Sequence, residues 1–333
     1  MLRLSGSYSI LRGDSMATMT GTARKPLQLL KDIVAFLIDS GNFGAGNPWQ
    51  LLRPATVDAI IDEVILKGVG DGHDSIFVGM KLQKGADEGQ IDLLLNGFAG
   101  FDANLDWREQ PGAIPHKKLP ILPLVEDVFT TYWLTANTSR FIIVTEMSTQ
   151  YECCYLGFAT PVAISRQYPY PLLIGGSYVE GSRWTSYTDG HSAFTHPGSD
   201  TYGGLGGYRD LPTYTPNDGD TTLRMRRPDG TWRAALNKTP FEFLGVWPTN
   251  VKPANTLTVY DQVLTIENVI QYPFLLHEMH PNGIVAQMDG VRWVGNREDL
   301  AAKDNIVLND KVYKVFYNVF RRENDQYFAI EWS

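Results

Sequence analysis

The chain has 333 residues, 43% hydrophobic and 20% charged, with 8 Trp, 16 Tyr and 15 Phe; this is a globular composition, enough for one large unit or a few smaller ones, and not that of a disordered chain. The net charge of −8, with Arg224, Arg226 and Arg227 as the densest basic cluster, argues against nucleic acid as a partner. No apolar run reaches the roughly 18–20 residues of a helical membrane span, so no membrane insertion is expected.

Residues 1–24 are small and polar and read as a flexible arm, with Met16 and Met19 as alternative starts to Met1. Pro26 then opens an amphipathic helix: Leu30, Ile33, Val34 and Leu37 recur at helical spacing, and Leu29, Phe36 and Ile38 widen the apolar face. The helix is expected to end near Ser40-Gly41. The stretch from Pro54 to Gly68 fits helix or strand; the glycines Gly68, Gly70 and Gly72 favour a hairpin, Glu63 to Lys67 against Ser75 to Gln83. Gln90 to Phe101 supplies a further strand, and the proline-rich run from Gln110 to Asp127 reads as an extended connection. An antiparallel meander follows, with strands at Thr131 to Leu134, Arg140 to Met147 and Glu152 to Phe158.

In "QYPYPLLIGG", Tyr168 to Pro171 is expected to be extended, Leu172 to Ile174 a short buried strand, and Gly175-Gly176 the release into residues 176–222, where no helical or strand period runs. So long an irregular stretch points to function or to ordering by a partner. A short hairpin is expected around Pro228-Asp229-Gly230. The C-terminal part is strongly β. Gly283 to Gly295 reads as a strand, a turn at Asp289-Gly290 and a second strand. Three more strands follow, with turns at Asn309-Asp310 and Arg322 to Asp325, and Tyr313, Val315, Tyr317 and Val319 alternate on one face.

The search for chemistry is mostly negative. His277 and His280 are spaced His-x-x-His and followed by Pro281, not the His-x-x-x-His of a helical metal pair. The runs Gly72 to Ser75 and Asp189 to His196 combine His, Asp and Ser, but no nucleophile-elbow Gly-x-Ser-x-Gly accompanies them. The spaced glycines before Ser75 lack the strand–loop–helix setting of a phosphate cradle. Glu126-Asp127 is a carboxylate pair that would need a sugar groove between its members. Cys153 and Cys154 are adjacent, which strains a disulfide, and read as two reduced thiols in a strand. No catalytic residue, cofactor or metal is expected.

Six stretches carry a resemblance: Asn96 to Phe101, Tyr132-Trp133, Ala136-Asn137, Arg140 to Val144, Tyr155 to Pro161 and Gln167 to Ser177. In this order they resemble a class of structural proteins of tailed bacteriophages, and the likeness extends from about Leu27 to Trp332. The resemblance implies a place in a virion, in the tail, baseplate or neck, assembled in the host cytoplasm. Its partners would be other virion proteins, in a symmetric homo-oligomer, with no enzymatic activity. The alternative is a carbohydrate- or receptor-binding tail protein, with Trp184, Tyr187, Tyr202 and Tyr208 stacking on sugar. Those four, with Tyr168 and Tyr170, are the candidate partner contacts.

The fold expected is α+β and β-rich. Residues 25–175 form the core domain, residues 176–260 a loop-rich interaction segment, and residues 261–333 a β-meander packed on the core.

Overall fold

The structure, a computed structural model, describes residues 16–43, 48–69, 75–115, 119–161, 171–181, 183, 194, 222–227, 229–234, 236–237, 264–266, 269–278, 283–294, 300–317 and 327–333. In chain order the elements begin with β1 (Ala17–Ala23), α1 (Pro26–Ile38), β2 (Gln50–Arg53), β3 (Glu63–Val69), β4 (Ser75–Lys84), β5 (Gln90–Phe98) and β6 (Pro120–Val125). The middle of the chain supplies β7 (Thr130–Ala136), β8 (Arg140–Met147), β9 (Gln150–Phe158), β10 (Thr160–Pro161), β11 (Leu172–Gly175), β12 (Tyr178–Val179), β13 (Leu223–Arg226) and β14 (Trp232–Ala234). The rest comprises β15 (Leu236–Asn237), β16 (Leu264–Ile266), β17 (Val269–Glu278), β18 (Gly283–Val294), β19 (Asn305–Leu308), β20 (Lys311–Tyr317) and β21 (Tyr327–Glu331).

These strands form three antiparallel sheets. The central sheet has seven strands in the order β1-β7-β8-β9-β11-β13-β14. A six-stranded sheet, β12-β6-β5-β4-β3-β2, packs on one face, and an eight-stranded C-terminal sheet along β15-β17-β18-β21-β20-β19, with β10 and β16 attached, packs on the other. The central strands alternate as pleated backbone requires. Tyr132, Leu134, Phe141, Ile143, Leu156 and Ile174 face the six-stranded sheet; Trp133, Ile142, Val144, Tyr155 and Leu173 face the C-terminal sheet. A sheet buried on both faces needs near-continuous apolar runs, which "RFIIV" and "YECCYLGF" supply. Cys153 and Cys154 follow the same rule. One points to each side, so the pair cannot close a disulfide, and both thiols are free.

The architecture is β-rich, and the α+β expectation holds only in part: α1 is the one α-helix among the described residues. It starts on Pro26, carries no side-chain cap, and buries Leu29, Leu30, Ile33, Val34 and Leu37 in the core between the central and six-stranded sheets. The preferred hairpin β3–β4 is present in register, Glu63 opposite Lys81 and Lys67 opposite Phe77. The meander β7–β8–β9, the hairpin β13–β14 and the buried strand β11 also match their expected positions. At Asn309 and Asp310 both φ values are positive, 48° and 64°, the geometry of a two-residue hairpin turn.

Several expectations are corrected. The arm expected over residues 1–24 contains β1, which pairs with β7 over its whole length. The extended connection before Asp127 contains β6, which pairs with β5; Pro120 is tolerated as the strand's first residue, and Pro123 because its nitrogen faces the side away from β5, beyond the two-residue β12. Asp289-Gly290 is not a hairpin turn. β18 continues through it, and the register against β17 jumps from Pro273–Arg292 to Leu275–Gln287, a bulge that Gly290 permits with φ 70°. On β20 the face opposite Tyr313 and Val315 is buried too, because Phe316 packs in the core against the central sheet. Residues 319 and 322–325 lie outside the described residues.

Candidate functional site

The three sheets and the N-terminal strand meet at the turn from Ala136 to Arg140. Asn137 builds that turn. Its side-chain oxygen accepts hydrogen bonds from Ser139 N (2.9 Å), Ser139 Oγ (3.0 Å) and Arg140 N (2.8 Å). The turn's own carbonyls hold the six-stranded sheet: Trp49 Nε1 donates to Asn137 O at 2.9 Å, and Val69 N to Thr138 O at 3.0 Å. Arg140, fully buried, then reaches in the other direction. Its Nε donates to Asp289 Oδ2 at 2.9 Å, and its Nη1 approaches Met16 Sδ at 3.6 Å. Its Nη2 stands 3.6 Å from Glu331 Oε2, an ionic contact too long for a hydrogen bond.

Burial alone would push the Arg140 guanidinium down; the nearby Asp289, Tyr155 and Glu331 outweigh it and hold the group above the ordinary arginine value, firmly charged. Glycines make the space. Gly157, opposite Arg140 on β9, has φ 140°, and a Cβ there would overlap Ser139 O and the Arg140 backbone. The bulge at Asp289-Gly290 brings the Gly290 backbone against the guanidinium and turns Asp289 onto it. Glu331 is shared, since its other oxygen meets Lys311 Nζ at 2.7 Å.

A second joint lies at the end of "QYPYPLLIGGS". β11 belongs to the central sheet and β12 to the six-stranded one, so Gly175 to Ser177 carries the chain between layers. Gly176 passes so close to Ile121 that a Cβ would sit 2.9 Å from its amide nitrogen. The Ser177 hydroxyl is buried; it accepts from Cys153 N (2.7 Å) and donates to Cys153 O (3.0 Å). Asn96 holds the end of β5 to the loop that follows it: its side-chain oxygen accepts from Gly97 N (2.9 Å) and Ile114 N (3.1 Å). Trp232 packs over Gly97 and donates to Gly112 O at 2.8 Å, tying β14 to the six-stranded sheet.

Beside these joints, a half-open cleft of about 310 Å³ lies between the two N-terminal sheets, lined by Gln90, Pro123, Val125, Val128, Met147, Ser148, Gln150 and Arg183. Arg183 forms its charged wall. Nε donates to Asp92 Oδ1 at 2.7 Å, and Nη2 donates to Ile91 O (2.6 Å) and Leu124 O (2.9 Å). Burial raises the Asp92 carboxyl above the usual aspartate range, against the pull of Arg183. The cleft's size is at the lower end of small-molecule sites, and its one cation already has a carboxylate partner.

The six candidate contacts, Tyr168, Tyr170, Trp184, Tyr187, Tyr202 and Tyr208, all lie outside the described residues, as do His73, His191, His196, His280 and the side chain of His277. Glu126 and Asp127 sit exposed in the β6–β7 turn, side by side on one surface rather than across a groove. Arg224 is buried in β13, so the basic cluster is not a surface patch. No group of three or more potential metal ligands occurs among the described residues.

Sequence reading did not single out Arg140, Asp289, Glu331, Asp92 or Arg183 as a set. A trace was present: Arg140 and Asp92 each adjoin an apolar run, "FIIV" and "LLL", where a charge needs a buried partner. No protein-family model and no curated protein matches the chain.

Proposed function

We propose that the chain is a structural component of a tailed-bacteriophage virion, in the tail, baseplate or neck region, working through protein–protein contacts. The observation that supports this reading is where the resembling motif residues stand. Asn137, Arg140, Gly157, Gly176 and Ser177 stand where the central sheet meets the other two. Residues spent on fixing layers make a rigid building block, which is what a subunit of a symmetric particle requires. The finer division, an N-terminal helix on an α+β core with a partner-binding segment over residues 176–260, belongs to the same proposal. Mass spectrometry of purified particles of the phage that encodes the chain tests it. The chain is expected among the virion proteins at a copy number that fits the symmetry of one ring; its absence from intact particles overturns the proposal.

A further inference from the structure

The outermost strand of the central sheet, β1, pairs with β7 in an unbroken register from Ala17–Ala136 to Ala23–Thr130. On its other side its backbone makes no hydrogen bond among the described residues. Open sheet edges invite pairing with another chain, and proteins usually guard them with charge, proline, bulges or shortness. The other terminal strands here are guarded. β2 has four residues, a break in register after Leu51 and Pro54 immediately beyond it. β14 has three residues and carries Arg233; β12 and β15 have two each. β19 has four and follows Lys303-Asp304. β1 has seven residues, Ala-Thr-Met-Thr-Gly-Thr-Ala, with no charge, no proline and no bulge.

The strand is also complementary to itself. Turned antiparallel about Thr20, a second copy sets Ala17 opposite Ala23, Thr18 opposite Thr22 and Met19 opposite Gly21. Thr18, Thr20 and Thr22 lie on the outer face, where Thr20 and Thr22 are exposed, and threonines facing each other across strands favour pairing. On the inner face the long Met19 meets Gly21, over which the Tyr132 ring already lies in the place of a side chain.

We propose that β1 is a homotypic docking edge: two copies of the chain pair β1 against β1, joining their seven-stranded sheets into one about a two-fold axis at Thr20. The pairing stands on the edge itself and not on the virion reading. One strand pair covers less than the roughly 1,200–2,000 Å² of a standard stable interface, so the contact is weak alone and gains strength where an assembly holds copies together.

Analytical ultracentrifugation of the full chain, from micromolar to near-millimolar concentration, is expected to show a reversible monomer–dimer equilibrium. Thr20→Lys sets like charges opposite each other at the axis and should weaken the dimer by about tenfold or more, with an unchanged circular dichroism spectrum because Thr20 is exposed. Under mild oxidation Thr20→Cys should cross-link to itself. Thr18→Cys should not, because its two copies stand four positions apart, about 13 Å along the strand. The native thiols are buried and stay silent. A chain monomeric at every concentration, a dimer indifferent to Thr20→Lys, or equal cross-linking at both positions overturns the proposal. Absence of the chain from virions would leave these readouts untouched.

Discussion

Toward the six-stranded sheet the central strands present Leu134, Phe141, Ile143 and Leu156, and the contact is mostly aliphatic, closed at the side by α1. Toward the C-terminal sheet the intervening positions present Trp133, Tyr151 and Tyr155 to a cluster of rings. Phe274 stacks on Trp293 at 4.2 Å, Trp133 meets Phe316 at 5.1 Å, and Phe194 sits edge-on to Phe274 and Phe328. The second face also carries charge at its margins, Arg140 with Asp289 and Glu331 at one place and Lys303 with Glu146 at another. Aliphatic contacts hold layers together with little demand on their relative position. Buried ion pairs and packed rings add such a demand, because a shift leaves a charge or a ring edge without its partner. The six-stranded sheet is thus fastened mainly by aliphatic area with a few directed contacts, such as Trp49 on Asn137 O, and the C-terminal sheet adds a buried charge lock.

The largest effect that would break this contrast is removal of the lock. Arg140→Ala removes the buried cation that joins Asp289 and Glu331, and is expected to cost about 3–5 kcal/mol by urea denaturation. A loss below about 1 kcal/mol would show that the joint is not structural. Next come Ile142→Ala and Ile143→Ala, neighbours on opposite faces and both fully buried. Each is expected to cost about 2–5 kcal/mol. If Ile142→Ala proves nearly silent while Ile143→Ala does not, the C-terminal sheet is an accessory layer rather than part of the same core.

The two thiols sharpen the contrast without altering stability. Burial pushes both Cys153 and Cys154 above the usual thiol range, so neither is expected to react with iodoacetamide in the native chain. Because Cys153 reports the C-terminal face and Cys154 the other, labelling of Arg140→Ala resolved by peptide mass should accelerate at Cys153 first. Equal acceleration at both would mean that the faces open as one unit.

The smallest effect is expected at Asp92, on the margin of the six-stranded sheet. Burial raises its carboxyl, so the folded chain binds this proton more tightly than the unfolded one. The group therefore contributes most below the unfolded value of 3.8, and that contribution is lost as pH rises through the folded value. Asp92→Asn should match the wild type in acid and gain on it toward neutrality. The check is urea unfolding across that range, where a gap that widens in acid would contradict the assignment.

The amphipathic helix and most hairpins were legible in the sequence, because each rests on local signals: Pro26 before a helical period, Asn309-Asp310 between alternating runs, glycines between Glu63 and Ser75. Runs such as "RFIIV" signalled burial but not that it is burial on two faces. That depends on which sheets stack on which side, and the strands that decide it come from positions more than a hundred residues apart. Asp289-Gly290 shows the same limit at one position. The dipeptide signals a reversal equally well as turn or as bulge, and only the neighbouring ladder, with Arg140 waiting for the carboxylate, selects the bulge. Local sequence thus specified the elements through short-range conformational preference. Layering, the fate of the adjacent thiols and the assembly of the buried arginine joint were decided in tertiary structure, because each depends on what packs against a residue from far along the chain.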